Sequence, residues 1–111
     1  MSYEKIIHLS KENFTPTVQE SRKPVLVDFW APWCGPCRTL SSLIDEVAEE
    51  HPEWVVAKLN TDEEEALAEE YDVRALPTLL FFNAKGQLVD RSVGSLTKSD
   101  LLTRLEKVAH G

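Results

Sequence analysis

An α/β fold, with a mixed five-stranded sheet flanked by four helices, is predicted for this 111-residue chain by three observations. Apolar runs of strand length alternate with segments of helical periodicity, in the order β-α-β-α-β-α-β-β-α. The last two strand-like runs, Leu79–Phe82 and Gln87–Val93, are separated only by the turn Asn83-Ala84-Lys85-Gly86. They therefore form an antiparallel hairpin, while the helical crossovers elsewhere supply a parallel portion. The third observation is that the β-favouring run Val25–Trp30 delivers two cysteines, Cys34 and Cys37, to the mouth of an amphipathic helix.

Taken in order, Ile6-Ile7-His8-Leu9 is a short apolar run that reads as an outer strand, with His8 a plain strand residue. Ser10 is placed to cap a helix in which Phe14 and Val18 share a face. Ser21-Arg22-Lys23-Pro24 is a polar break before the central strand. From Cys37 onward, Leu40, Leu43, Ile44, Val47 and Ala48 mark one face of a second helix, from about Cys34 to Glu50. His51-Pro52 ends it, because a residue before proline avoids helical geometry. Trp54–Asn60 reads as a buried strand with one charged intruder, Lys58, which needs a partner or a way out to water. Asp62 with Glu65 resembles a capping pattern for a third helix, whose inner side holds Ala66, Leu67 and Tyr71. The acids around them, Glu63 to Glu65 and Glu69-Glu70, form a solvated face rather than a metal site. Leu79–Phe82 is fully apolar, so it is a central strand. Thr97 to Asp100 caps a last helix with Leu101, Leu105 and Val108 inside.

The totals narrow the function classes. The length suits one domain with a real core, and 42% hydrophobic with 28% charged residues is ordinary for a soluble globular protein. A net charge of −7 argues against nucleic acid or an anionic membrane as partner. The only two cysteines both lie in the Cys34–Cys37 pair, so no disulfide framework staples the fold. The start Met1-Ser2-Tyr3-Glu4-Lys5 has no apolar leader run and no stretch approaches membrane-spanning length. A cytoplasmic, reducing setting is therefore expected.

The cysteine pair itself carries chemistry. At a helix N-terminus the free N–H groups of the first turn point at the Cys34 sulfur, and the helix dipole favours its thiolate. Cys37 lies three residues on, one turn inside, close enough to close a small ring. Pro36 fixes φ where a helix start tolerates it, and Gly35-Pro36 thereby shapes the ring. Trp33 falls outside every apolar stripe, which marks it as an exposed contact residue.

At these residues a family resemblance becomes visible. Asp28-Phe29-Trp30-Ala31-Pro32-Trp33-Cys34-Gly35-Pro36-Cys37 closely resembles the active site of the thioredoxin family. The resemblance continues through Ala57–Asn60, Val73–Thr78 and Val93-Gly94, from about Lys5 to Val108. It implies the thioredoxin fold, a cis Leu76–Pro77 bond facing the dithiol, and a protein-disulfide reductase that needs no cofactor beyond its own cysteines. Cys34 is then the attacking and Cys37 the resolving thiol, and Asp28 helps to take the proton of Cys37. The resemblance also sets Asp28 on the strand beside Lys58, as its ion-pair partner. Trp33, Ala75, Leu76, Val93 and Gly94 are implied to line an apolar groove where an extended substrate adds to the backbone near Leu76. The implied partners are a flavoprotein or ferredoxin-linked thioredoxin reductase as donor. Ribonucleotide reductase, peroxiredoxins and methionine sulfoxide reductases are the implied recipients, all served by a monomer. Arg38 stands where the family carries lysine or arginine. Ser42 is a departure, since the family commonly has a helix-bending proline there.

Two other readings fit the residues less well. A binding module that recruits a partner without turnover would not need the intact Trp33-Cys34-Gly35-Pro36-Cys37 run together with Asp28 and Pro77. A zinc site fails because two cysteines and the scattered His8, His51 and His110 offer no second ligand pair.

Overall fold

The computed structural model describes residues 5–110, and in it Val25–Trp30 is the middle strand of a five-stranded sheet. Along the chain the elements are β1 (Ile6–His8), a π-helix (Thr15–Gln19), β2 (Val25–Trp30), α1 (Gly35–Glu50), β3 (Val55–Asn60) and α2 (Glu65–Glu70). They are followed by β4 (Thr78–Phe82), β5 (Leu88–Val93) and α3 (Lys98–His110). The strand order is β1-β3-β2-β4-β5. β3 lies parallel to both β1 and β2, whereas β4 runs antiparallel to β2 and β5 antiparallel to β4. The mixed sheet and its flanking helices are those expected from the sequence.

β2 and β4 are buried along almost their whole length because helices cover both faces of the sheet. Alternate residues of each strand therefore enter different layers. Leu26, Val56, Leu79 and Phe81 pack against Leu40, Ile44 and Val47 of α1 and Leu101 and Leu105 of α3. Val25, Val27, Phe29, Ala57, Leu80 and Phe82 pack on the other side, against Phe14, Val18 and Ala68. The second layer is sealed by aromatic contacts of Phe82 with Tyr71, at 5.9 Å between ring centres, and with Phe14, at 6.5 Å.

Two local expectations are corrected. The first helix is not an α-helix capped by Ser10. The Asn13 carboxamide instead accepts the Ser10 N–H at 2.7 Å, and the helix widens to a π turn closed by Glu20 N–H on Thr15 O at 3.2 Å. Pro16 stands in the first turn of this π-helix, where its missing N–H is tolerated. Likewise α2 starts at Glu65 with Glu64 as N-cap and no capping side chain, so Asp62 is free for other use. The last helix behaves as read, with Thr97 Oγ1 accepting the Asp100 N–H at 3.1 Å. α1 runs unbroken across Ser42, whose hydroxyl reaches back to Arg38 O at 3.5 Å.

Candidate active site

The C-terminal end of β2 positions the dithiol. After Trp30 the chain turns, with Cys34 N–H donating to Ala31 O at 3.1 Å, and α1 begins at once. Cys34 is the N-cap in extended conformation, and its Sγ accepts the Cys37 N–H at 3.3 Å. A sulfur thus occupies the place usually taken by a capping oxygen, where the helix's free N–H groups converge. Cys34 and Cys37 are joined in a disulfide with 5.3 Å between their Cα atoms, and both are buried. Gly35 and Pro36 form the exposed rim of the ring.

The same end of the sheet collects the other residues singled out in the sequence. Because β4 runs antiparallel to β2, Thr78 at its start pairs with Phe29 and also with Val93 at the end of β5. Gly94 N–H donates to Pro77 O at 2.8 Å, and Thr78 Oγ1 donates to Ala75 O at 2.6 Å, so the Ala75–Thr78 and Val93–Gly94 segments are tied together. The Leu76–Pro77 bond is cis. Gly94 has φ +92°, a backbone conformation that side chains of L-residues rarely adopt, and this is why the position needs glycine. Trp33 is 71% and Val93 59% exposed, two large apolar side chains left open to solvent at this end.

Asp28 and Lys58 are cross-strand neighbours, as the resemblance implied. They do not make the expected ion pair. Lys58 Nζ donates to Asp45 Oδ1 at 2.6 Å, to Ser41 Oγ at 2.6 Å and to Ser41 O at 3.4 Å, all on α1. The long lysine stem carries its charge sideways to a partly exposed carboxylate, an outlet that the short Asp28 side chain lacks. Asp28 is 0% exposed, and neither of its carboxyl oxygens has a hydrogen-bond partner among the described residues. Burial pushes its carboxyl up to about 7; the Lys58 charge draws it back down and the Asp45 charge adds to the rise.

A cleft of about 370 Å³ opens beside these groups, lined by Cys37, Arg38, Ser41, Ser42 and Lys58 together with His8, Trp30, Ala31 and Pro32. Cys37 borders it and Cys34 does not. Three participants escaped sequence reasoning. Ser41 and Asp45 lie four apart beside the apolar stripe of α1, and that spacing next to an unexplained buried lysine was the available signal. Asp62, read as a cap, instead accepts the Trp33 Nε1–H at 3.2 Å. Among the described residues no group of three or more histidine, cysteine or acidic side chains could hold a metal ion.

A family model described as thioredoxin matches residues 5–107. The chain belongs to the thioredoxin family. It is 45% identical over 103 residues to a thioredoxin of Pyropia yezoensis, which covers 92% of this chain and 95% of the relative. It is 48% identical over 95 residues to thioredoxin 1 of Synechococcus elongatus, covering 85% of this chain and 88% of that one. A chloroplastic M-type thioredoxin of Spinacia oleracea is 47% identical over 91 residues, covering 81% of this chain and 50% of the relative. Family and disulfide geometry together make the protein a thiol-disulfide oxidoreductase that reduces protein disulfides by dithiol–disulfide exchange.

Proposed function

We propose that this thioredoxin-family protein acts as one domain of 111 residues and carries electrons from a thioredoxin reductase to disulfide-containing proteins. The observation that carries the reading is Cys34 as the N-cap of α1, its sulfur bonded by the Cys37 N–H. In the reduced protein that position stabilises a thiolate, and the thiolate is the nucleophile. Cys34 sulfur attacks one sulfur of a substrate disulfide; that bond breaks, the other substrate sulfur leaves as a thiolate, and a mixed disulfide forms. Cys37 then loses its proton to Asp28, directly or through water in the adjoining cleft, and attacks Cys34 sulfur. The second substrate thiolate leaves, and the two electrons of the dithiol are now on the substrate.

An Asp28 carboxyl titrating near 7 suits this work, since acid and base forms coexist at neutral pH. Trp33, Ala75, Leu76, Val93 and Gly94 form the docking surface, with backbone near Leu76 pairing with an extended substrate strand. Gly35, Pro36, Lys58 and Pro77 shape the site. Ribonucleotide reductase, peroxiredoxins and methionine sulfoxide reductases are the recipients to try, and the protein works as a monomer in the cytoplasm. No helix of the described residues is long and apolar enough to cross a membrane.

Insulin reduction driven by NADPH and a thioredoxin reductase tests the proposal. The wild-type chain should precipitate the insulin B chain. Cys37→Ser should accumulate a mixed disulfide through Cys34, mapped by mass spectrometry. A mixed disulfide accumulating on Cys37 in Cys34→Ser would reverse the two roles.

A further inference from the structure

The buried carboxylate of Asp28 and the ammonium of Lys58 sit side by side on β2 and β3, yet they stay apart. An ammonium has three N–H donors. Those of Lys58 face three acceptors on one turn of α1: Ser41 Oγ and Asp45 Oδ1, each at 2.6 Å, and Ser41 O at 3.4 Å. The donor set is thereby filled, and none is left for Asp28. Ser41 and Asp45 reach one point because residues four apart share a helix face. Asp45 is half exposed, so the pair keeps contact with water and avoids the desolvation cost of a fully buried one.

We propose that Ser41 and Asp45 are positioning residues that hold the Lys58 ammonium away from Asp28 and so preserve Asp28 as an unpaired base. If the hold were released, the flexible lysine stem would swing its charge onto the orphaned carboxylate. A contact ion pair favours the charged carboxylate, so Asp28 would lose its affinity for protons near neutrality. The other groups around Asp28 do not substitute for Lys58. β4 presents apolar Leu79 at the opposite pairing position, α1 presents Cys37 with Asp45 beyond it, and His8 and Arg38 stand on the wall of the neighbouring cleft.

The importance of the hold for turnover rests on reading Asp28 as the proton acceptor of Cys37, but the hold itself can be measured without that reading. The Asp28 carboxyl is followed by carbon-detected NMR titration of the oxidised protein, in a cycle of Asp45→Asn, Lys58→Met and the double variant. Asp45→Asn also removes a negative charge, and the Lys58→Met background isolates that direct contribution. With Lys58 present, Asp45→Asn should lower the proton affinity of Asp28 about tenfold or more. In the Lys58→Met background the same change should lower it much less, and Ser41→Ala should act in the same direction as Asp45→Asn, more weakly. An equal fall in both backgrounds would overturn the proposal. The pH profile of insulin reduction is then recorded for the same variants. A profile that follows the Asp28 titration supports both inferences, whereas a moved titration with an unmoved profile upholds the hold and removes Asp28 as proton acceptor.

Discussion

The two faces of the sheet are built from the same strands, one residue out of step, and they differ in what they bury. The face under the π-helix and α2 is apolar from Val25, Val27 and Phe29 to Leu80 and Phe82, and its buried Thr78 hydroxyl is satisfied by Ala75 O. The face under α1 and α3 has an equally dense apolar floor, but Asp28 and Lys58 interrupt it below the dithiol. An unpartnered buried carboxylate is costly; no hydrogen bond among the described residues offsets it, and the nearby Lys58 charge does so only in part. The two faces are packed alike, and the acid–base role proposed for Asp28 falls on only one of them. If this division holds, substitutions on the two faces should separate activity from stability.

The largest expected effect is on turnover alone. Cys34→Ser should reduce insulin reduction to the uncatalysed background. Serine is itself a preferred N-cap, so the reduced protein should keep its stability to within about 1 kcal/mol in denaturant melts. A large loss of stability would mean that the dithiol also holds the fold, and the two faces would no longer differ in kind.

The converse test lies on the apolar face. Phe82→Ala empties a site that is 1% exposed and packed edge-to-face against Phe14 and Tyr71, and should cost about 3–5 kcal/mol. Turnover per folded molecule should not change.

Asp28→Asn tests the place where the two demands meet. The folded carboxyl is raised from 3.8 to about 7, so the folded state is favoured when Asp28 is protonated. Its destabilising effect appears as pH rises above the unfolded value and levels off above about 7. Between pH 4 and pH 7 the stability of Asp28→Asn relative to the parent should therefore grow by roughly 3 kcal/mol. Disulfide exchange at neutral pH should slow, because the change removes the proton acceptor proposed for Cys37. A difference in stability that stays flat with pH would show that Asp28 is already charged in the folded protein at low pH, contrary to an unpaired buried acid.

The smallest effect concerns the rim. Asp62→Ala removes the hydrogen bond to Trp33 Nε1, an exposed contact whose loss should cost less than about 1 kcal/mol. With Trp33 less well oriented, KM for insulin should rise more than kcat falls. The reverse pattern would take Trp33 off the docking surface and into the chemical step.

Much of this was legible in the sequence because it is local. Period-two and period-3.6 apolar patterns follow from backbone geometry, so β2, α1, β4 and the β4–β5 hairpin could be read directly. The placement of Cys34 at a helix mouth and the exposure of Trp33 needed only neighbouring residues. The first helix shows the limit of such patterns: Phe14 and Val18 have helical spacing, but the segment folds as a π-helix.

What only the tertiary structure decided is where long or free side chains end. The sequence by itself determined that a dithiol would stand at a helix N-terminus after a central strand, and that one acid and one lysine would interrupt two apolar strands. It did not determine that Lys58 turns to Ser41 and Asp45, or that Asp62, outside α2, accepts the Trp33 Nε1–H. Strand pairing fixes where the Lys58 Cα lies, but the ammonium at the end of a flexible stem goes to whichever acceptors the packed helix brings within reach. Those acceptors lie 13 and 17 residues away in the chain, and only the docking of α1 on the sheet sets them beside it.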